Sequence, residues 1–466
     1  MTAPVPALAG HTPTPVMGGR SDVVEAKLLE IAGRRVSWFR ISGGKHHGAI
    51  GTDGAEAVER AIRLALETGV PVVGFLDTSG ADIHEGASAL HAWGRLAKAI
   101  ADASGVVPTV LAVTGTCVSG PSLLLGLVDV VVMTRESFAY VSGPDSVEEF
   151  TGIVVDRMAL GSATVHDHRT GVATFVVDDD AAAADAVADV LEYLPSHSLV
   201  DAPIYFNDDP IDRDCDHAAA IVPARATASY DVREVLDDVL DRDSVLELRP
   251  MYAPNIVTAM GRLDGRPVGI VANQPAQRAG TIDIEASRKA ARFVQWCDAF
   301  NLPIITFVDT PGFEPGRDLE WRGMIRHGAE LVFAYGEASV PRLCVVLRKA
   351  YGGAYIVMDS KGLGNDWCAA WPGAEIAVMG ATGAVQILHG RRIAGIVEPH
   401  ERATEHTRLV DEYEDRFSNP YRAAERGYVD EVIDPRDTRR QLASALGRLA
   451  TKRDRQPRRR HANGPL

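Results

Sequence analysis

The sequence predicts an α/β protein assembled from two tandem copies of one domain. Three observations predict it. Apolar, β-branched runs of strand length alternate with amphipathic helical stretches; one such cycle recurs 232 residues downstream; and the composition is that of an ordinary globular chain, 46% hydrophobic and 24% charged over 466 residues. This length allows two or three domains, each large enough to bury its own core.

Residues 1–20, rich in Ala, Pro, Thr and Gly, read as a disordered N-terminus without a secretory signal. Short apolar pieces from Leu28 to Ile41 suggest the first strands, broken at Ser42-Gly43-Gly44. Ala55 to Thr68 is an amphipathic helix, with Val58, Ala61, Ile62, Ala65 and Leu66 on one stripe, Glu56, Glu59, Arg60 and Arg63 opposite, and Gly69 closing it. Val70 to Leu76 is a strand ending in the turn Asp77-Thr78-Ser79-Gly80-Ala81. The next cycle is a helix around Leu90 to Ala103, a strand from Thr109 to Val113, a turn from Gly115 to Gly120, a helical piece at Leu123 to Leu127 and a strand from Val128 to Met133. Strands that alternate with helices form a mostly parallel sheet covered on its faces.

The second half repeats this order. Glu67 to Thr78 matches Ala299 to Thr310 without a gap, placing Pro71 on Pro303 and Asp77 on Asp309. The helix at Ala55 to Thr68 falls on Ser287 to Phe300; one residue later in register, Pro108 falls on Pro341 and Ser119-Gly120 on Gly352-Gly353. The expected domains are 21–210 and 225–450, joined in the polar segment from Ser196 to Ser229 and followed by a basic tail, 451–466, that reads as a solvated end.

Arg348-Lys-Ala-Tyr-Gly-Gly-Ala-Tyr-Ile-Val-Met358 follows the apolar run Leu343 to Leu347, and so reads as a buried strand opening into a turn at Gly352-Gly353 with a helix beyond. Backbone N–H groups bared by glycine at a helix start suit an oxygen carrying negative charge. Such a turn at the carboxyl end of a parallel strand is where open α/β sheets bind ligands. It can stabilise an enolate without a side-chain nucleophile. No G-x-S-x-G elbow is present, and Cys117 and Ser119 read as turn or packing residues.

The formal charge of −15, with its main basic cluster in the tail at Lys452 to Arg460, argues against a nucleic-acid binder. No apolar run approaches membrane-spanning length, and five scattered cysteines suit a reducing cytoplasm. The chain lacks G-x-x-x-x-G-K-[ST], so Asp309-Thr-Pro-Gly is a turn, not a nucleotide switch. His46-His47 and His166/His168 have no Cys or acid nearby at ligand spacing, so they read as exposed or capping histidines and no bound metal is expected.

From Ala272-Asn-Gln-Pro through Ala279-Gly-Thr-Ile-Asp, Ala286-Ser-Arg-Lys-Ala-Ala-Arg-Phe-Val, Phe307-Val-Asp-Thr-Pro-Gly-Phe, Ile325-Arg-His-Gly-Ala and Arg348-Lys-Ala-Tyr-Gly-Gly-Ala-Tyr to Ala370-Trp-Pro-Gly-Ala-Glu-Ile-Ala-Val-Met-Gly, the chain resembles the carboxyltransferase (β) subunits of biotin-dependent acyl-CoA carboxylases. The resemblance runs from about Gly43 onward. It implies a duplicated crotonase (ClpP/crotonase-like) fold, CoA on the side of the first domain and biotin on that of the second. It also implies transfer of carboxylate from carboxybiotin, carried by a partner (α) subunit with the biotin carboxylase and carboxyl carrier, to the α-carbon of a short or medium acyl-CoA. No Met-Lys-Met biotin attachment site occurs in the chain. By the same resemblance the backbone donors are at Gly353 and Ala354 and at Ser119 and Gly120. One pair would hold the thioester oxygen and the other the ureido oxygen. Ile356, Tyr351, Gly352, Gly80 and Ala81 would touch substrate, and the assembly would be a homo-oligomer, a hexamer. An apolar Ile356, where propionyl-preferring members often carry an acid, resembles acetyl-accepting or broad-range members; core packing is its other reading.

The first domain departs from the family pattern. It has Ser119-Gly120-Pro121 for the usual Gly-Gly-Ala, and Asp77-Thr-Ser-Gly-Ala-Asp82 for Asp-Ser-Gly-Gly-Ala-Arg. Pro121 has no N–H to give. Donors at 119 and 120 would both survive; donors at 120 and 121 would not. Two alternatives follow, a biotin-independent crotonase-type enzyme such as an acyl-CoA decarboxylase, or a non-catalytic β paralogue that scaffolds a carboxylase complex.

Overall fold

In the computed structural model, residues 14–15, 21–225 and 227–465 are described. The region 1–20, expected to be disordered, lies outside them except for Thr14–Pro15, which pairs with Lys27 and Leu28. The chain divides into two compact units. One runs to Pro203 and takes in Ala299–Asn301; the other is Ile204–Asp298 with Leu302 onward. The expected first domain, 21–210, is therefore too long. Residues 204–210 belong to the second unit: Tyr205 N–H donates to Gly265 O, its ring lies 4.6 Å from the Arg262 guanidinium, and the carbonyls of Asp209 and Pro210 accept from buried Arg439.

In the first unit the strands are β1 (Thr14–Pro15), β2 (Val24–Ile31), β3 (Arg34–Ile41), β4 (Val72–Thr78), β5 (Thr109–Val118), β6 (Val130–Thr134), β7 (Phe138–Tyr140) and β8 (Phe175–Val177). They lie in the order β1-β2-β3-β4-β5-β6-β8, with β7 beside the end of β5. After the antiparallel β2–β3 hairpin every pairing is parallel. Helices α1 (Thr52–Thr68) and α2 (Ala87–Ala103) make the crossovers, and α1 stops at Gly69, left-handed at φ 65°. Val58, Ile62 and Ala65 of α1 and Leu96 and Ile100 of α2 pack on Phe39, Leu111 and Met133 of the sheet.

The second unit repeats the plan with β9 (Leu246–Leu248), β10 (Ile256–Leu263), β11 (Arg266–Asn273), β12 (Ile304–Thr310), β13 (Arg342–Tyr351), β14 (Trp367–Ala370), β15 (Glu375–Ala377) and β16 (Glu431–Val432). Their order is β16-β14-β13-β12-β11-β10-β9, with β15 beside β13. Helix α3 (Ile284–Ala299) takes the place of α1, and α4 (Met324–Glu337) that of α2.

The duplication holds to single residues. Ser37 faces Val72 in the first sheet, and Gly269, 232 residues on, faces Ile304 in the second. Both central strand pairs shift register at the same place, between Leu76 and Thr78 and between Val308 and Thr310. Both loops after the third strand carry three successive left-handed residues, His46-His47-Gly48 (φ 51°, 55°, 73°) and Arg278-Ala279-Gly280 (φ 48°, 56°, 75°). Glycine is needed at the third: a Cβ on Gly48 would lie 2.2 Å from Asp77 O, and one on Gly280 2.5 Å from Asp309 O.

One expectation fails on strand length. β5 runs on past Val113, through Gly115 to Val118 that read as a turn, whereas β13 ends at Tyr351, where the turn at Gly352-Gly353 was expected. The basic tail is not simply solvated either. Lys452 pairs with Asp366 at 3.1 Å, Arg459 with Glu337, and Asp454 N–H donates to Ser339 O.

Candidate functional site

The second-unit turn rests on a buried ionic anchor. Asp309, at the register shift of β12, accepts from Arg348 Nε at 2.9 Å and from the Lys349 backbone N–H at 3.2 Å, with Lys349 Nζ 3.6 Å away. Arg348 also donates to the carbonyls of Pro223, Arg225 and Ala228. Burial pulls the Lys349 ammonium down, against the pull of Asp309. Tyr351 ends the strand with its hydroxyl on Glu375, and burial, then that carboxylate, holds its phenol well above the usual range. Gly352 then turns left-handed at φ 59° and opens helix α5 (Gly352–Val357). The N–H groups of a first helical turn have no intrahelical acceptor. Those of Gly353, which is exposed, and of Ala354, whose methyl is buried, belong to that turn. A Cβ on Gly353 would sit 3.4 Å from the Phe313 ring. Ile356 is 51% exposed beside the turn, so it is not core.

The first-unit turn has the same backbone and different chemistry. Asp77 accepts from the Thr116 N–H at 2.9 Å, but Gly115 stands where the second unit has Arg348, so no guanidinium joins it. Ser119 occupies the left-handed position of Gly352, at φ 63°. Its N–H donates to Tyr140 O at 2.9 Å. Gly120 begins the helical turn that follows, and Pro121, in the place of Ala354, brings no N–H. The Trp93 indole lies against Gly120, its Nε1 1.7 Å from where a Cβ would be built. Gly80 and Ala81 sit at the same edge: a Cβ on Gly80 would lie 3.0 Å from the Ser119 Cβ, and Ala81 bridges to Ile50. Burial pushes the Cys117 thiol up to about 12, so it is no nucleophile at neutral pH.

One residue that matters locally escaped the sequence reading, and one was misread. Lys289, inside the Ala-Ser-Arg-Lys run of α3, is buried and donates to the carbonyls of Arg249, Tyr252 and Ile256 at 2.8–2.9 Å. His46 is not without an acid: the fold brings its Nδ1 within 3.0 Å of Asp82 Oδ2 and adds His84 beside them. His166 is partly buried and its side chain caps no helix; the ring is held by Ala139 O and Thr170 Oγ1. A groove of about 460 Å³ between α1 and α2, around buried Glu59 and its partners Arg63 and Arg95, involves neither glycine turn.

The carboxyl transferase domain family matches residues 20–464. A propionyl-CoA carboxylase carboxyltransferase subunit of Haloferax mediterranei is 45% identical over 94% of this chain and 84% of its own. A propionyl-CoA carboxylase beta chain of Saccharopolyspora erythraea is 44% identical over 94% of this chain and 82% of its own. Among solved structures, the transcarboxylase 12S hexamer with hydrolysed methylmalonyl-coenzyme A bound superposes with a TM-score of 0.92 at 41% identity, covering 96% of this chain and 85% of that one. The duplicated crotonase-like α/β fold, the strand-end glycine turns and these relatives together place the chain in the carboxyltransferase family of the biotin-dependent acyl-CoA carboxylases.

Proposed function

We propose that this chain is the carboxyltransferase component of an acyl-CoA carboxylase, acting on a short acyl-CoA such as acetyl- or propionyl-CoA. The observation that carries the reading is the Gly353-Ala354 turn, two adjacent N–H groups at the end of β13 on an ionic anchor. Carboxybiotin delivered by a partner α subunit supplies the CO2 and the nitrogen that takes the α-proton. This chain contributes position and charge stabilisation. The N–H groups of Gly353 and Ala354 hold one developing oxyanion, worth about 3–4 kcal/mol per donor. In the first unit Gly120 is the donor left to the second oxygen, since Ser119 is engaged and Pro121 has none. Tyr351 and Gly352 shape the second-unit side, Gly80 and Ala81 the first, and exposed Ile356 lines the acyl end.

The first unit, to Pro203, acts as the CoA side and the second, from Ile204, as the biotin side, in a homo-hexamer like that of transcarboxylase 12S. Light scattering should then give six times the 50.0 kDa chain mass. No helix among the described residues is long and apolar enough to cross a membrane. We place the enzyme in the cytoplasm, on its five unpaired cysteines.

The test is incorporation of labelled bicarbonate into acetyl-, propionyl- and butyryl-CoA with ATP and a biotinylated partner. Partner-dependent label in the acetyl or propionyl ester is expected. Tight CoA-ester binding without incorporation would favour a non-catalytic scaffold, the reading supported by Ser119 and Pro121.

A further inference from the structure

The three-residue left-handed loop serves different ends in the two units. In the second, Arg278 Nη1 reaches Glu314 Oε2 at 3.1 Å and Asp283 at 2.6 Å, so a fixed guanidinium neutralises the acids at that edge of the sheet. In the first, the same positions hold His46 and Asp82, and a second imidazole, His84, replaces Gly316. An arginine can only donate; an imidazole nitrogen can also bind a metal.

We propose that His46, Asp82 and His84 form a site for a divalent cation of the zinc class. One ligand atom from each lies within 4.8 Å of the others. His46 Nδ1 and Asp82 Oδ2 are already 3.0 Å apart. Bonds of about 2.0–2.2 Å in a tetrahedron set ligand atoms roughly 3.3–3.6 Å apart, a spacing within reach of three ligand atoms that already lie within 4.8 Å of one another. The two imidazole rings are 4.6 Å apart and tilted by 42°.

The supports around the three ligands are in place. Asp82 Oδ1 accepts from the His84 N–H at 2.9 Å, which fixes the carboxylate and leaves Oδ2 toward His46. Ser79 clamps the left-handed loop, its hydroxyl donating to His46 O and its N–H to His47 O, each at 3.0 Å. Glu85 is not a fourth ligand, because its Oε2 accepts from both the N–H and the hydroxyl of Thr52, at 2.7 and 2.6 Å. The fourth position is therefore open to water or an anionic ligand, the pattern of a three-ligand site. Imidazole with one carboxylate favours zinc, copper, nickel or iron over magnesium or calcium. The site lies at the carboxyl edge of the first sheet, on the loops after β3 and β4. It stands whether or not the chain transfers carboxylate.

The experiment is a Co2+ titration of the chelator-stripped, full-length assembly, followed by visible ligand-field absorption and by back-titration with Zn2+. One equivalent per chain is expected, displaced by Zn2+ and weakened by about tenfold or more in His46→Gln and in His84→Gln. His47→Gln, one residue outside the cluster, should bind as the wild type does. X-ray absorption of the zinc-loaded wild type should count two imidazoles without recourse to any variant. Absence of binding, titration unaltered by either substitution, or a zinc shell without imidazole would overturn the assignment.

Discussion

The two glycine turns share a backbone and differ in what holds it. In the second unit the turn is tied down by side chains, with Arg348 and Lys349 on buried Asp309, and elsewhere in the unit Lys289 of α3 gathers carbonyls of residues 249–256. In the first, Gly115 and Thr116 stand for Arg348 and Lys349, and Ala57 for Lys289. Asp77 is left with a backbone partner, and the left-handed corner is taken by a serine. A duplicated fold thus kept its register while one turn lost half of its donors. The geometry belongs to the strands and the hairpins; the chemistry belongs to a few side chains and one proline.

The largest effect that sharpens this contrast is expected from Arg348→Met. It leaves the Asp309 carboxylate buried without its guanidinium and should cost about 3–5 kcal/mol in chemical denaturation. A loss below about 1 kcal/mol would mean that the anchor does not distinguish the two units. Next comes Lys289→Met, at about 2–3 kcal/mol, from three carbonyls left short of a donor.

Lys289 also has a pH signature. Burial lowers its ammonium to about 7, whereas an unfolded lysine titrates near 10.4. Between those values the unfolded chain binds more protons, so the Lys289 contribution makes stability rise with pH across that window. The methionine variant should show a flatter pH dependence from 7 to 10, and an unchanged slope would contradict the assignment.

Gly120→Ala should be smaller again, about 1–2 kcal/mol, because its methyl meets Trp93. The smallest effect has the opposite sign. Ser119→Gly removes a left-handed serine and should raise stability by about 1 kcal/mol or less. Thermal denaturation of the two variants side by side reads both.

Much of the fold was legible because register is a property of sequence. The ungapped match of Glu67–Thr78 with Ala299–Thr310 foretold two sheets that align residue for residue. The end of β5 was not legible. Thr116 to Val118 look like turn residues until their parallel pairing with Phe138 to Tyr140 is seen to carry the strand through them. Likewise His46 meets its acid only through the parallel pairing of β3 with β4, which brings together loops 36 residues apart. An Asp-x-His pair at 82–84, set against a histidine in the matching loop of the first copy, was the available signal. The tail misled for a similar reason, since its basic residues find Asp366 and Glu337 far away in the chain.

In the proposed carboxyltransferase, the Gly353-Ala354 backbone holds the reacting oxygen. The direct test is kcat/KM for partner-dependent carboxylation of acetyl- or propionyl-CoA by Gly353→Pro beside Gly353→Ala. Proline is tolerated in a first helical turn but removes the N–H; alanine keeps it and meets only the edge of Phe313. A loss of about 10²–10³ is expected for proline in a correctly assembled oligomer, and a far smaller one for alanine. A proline variant that assembles and turns over within about threefold of the alanine variant would contradict it.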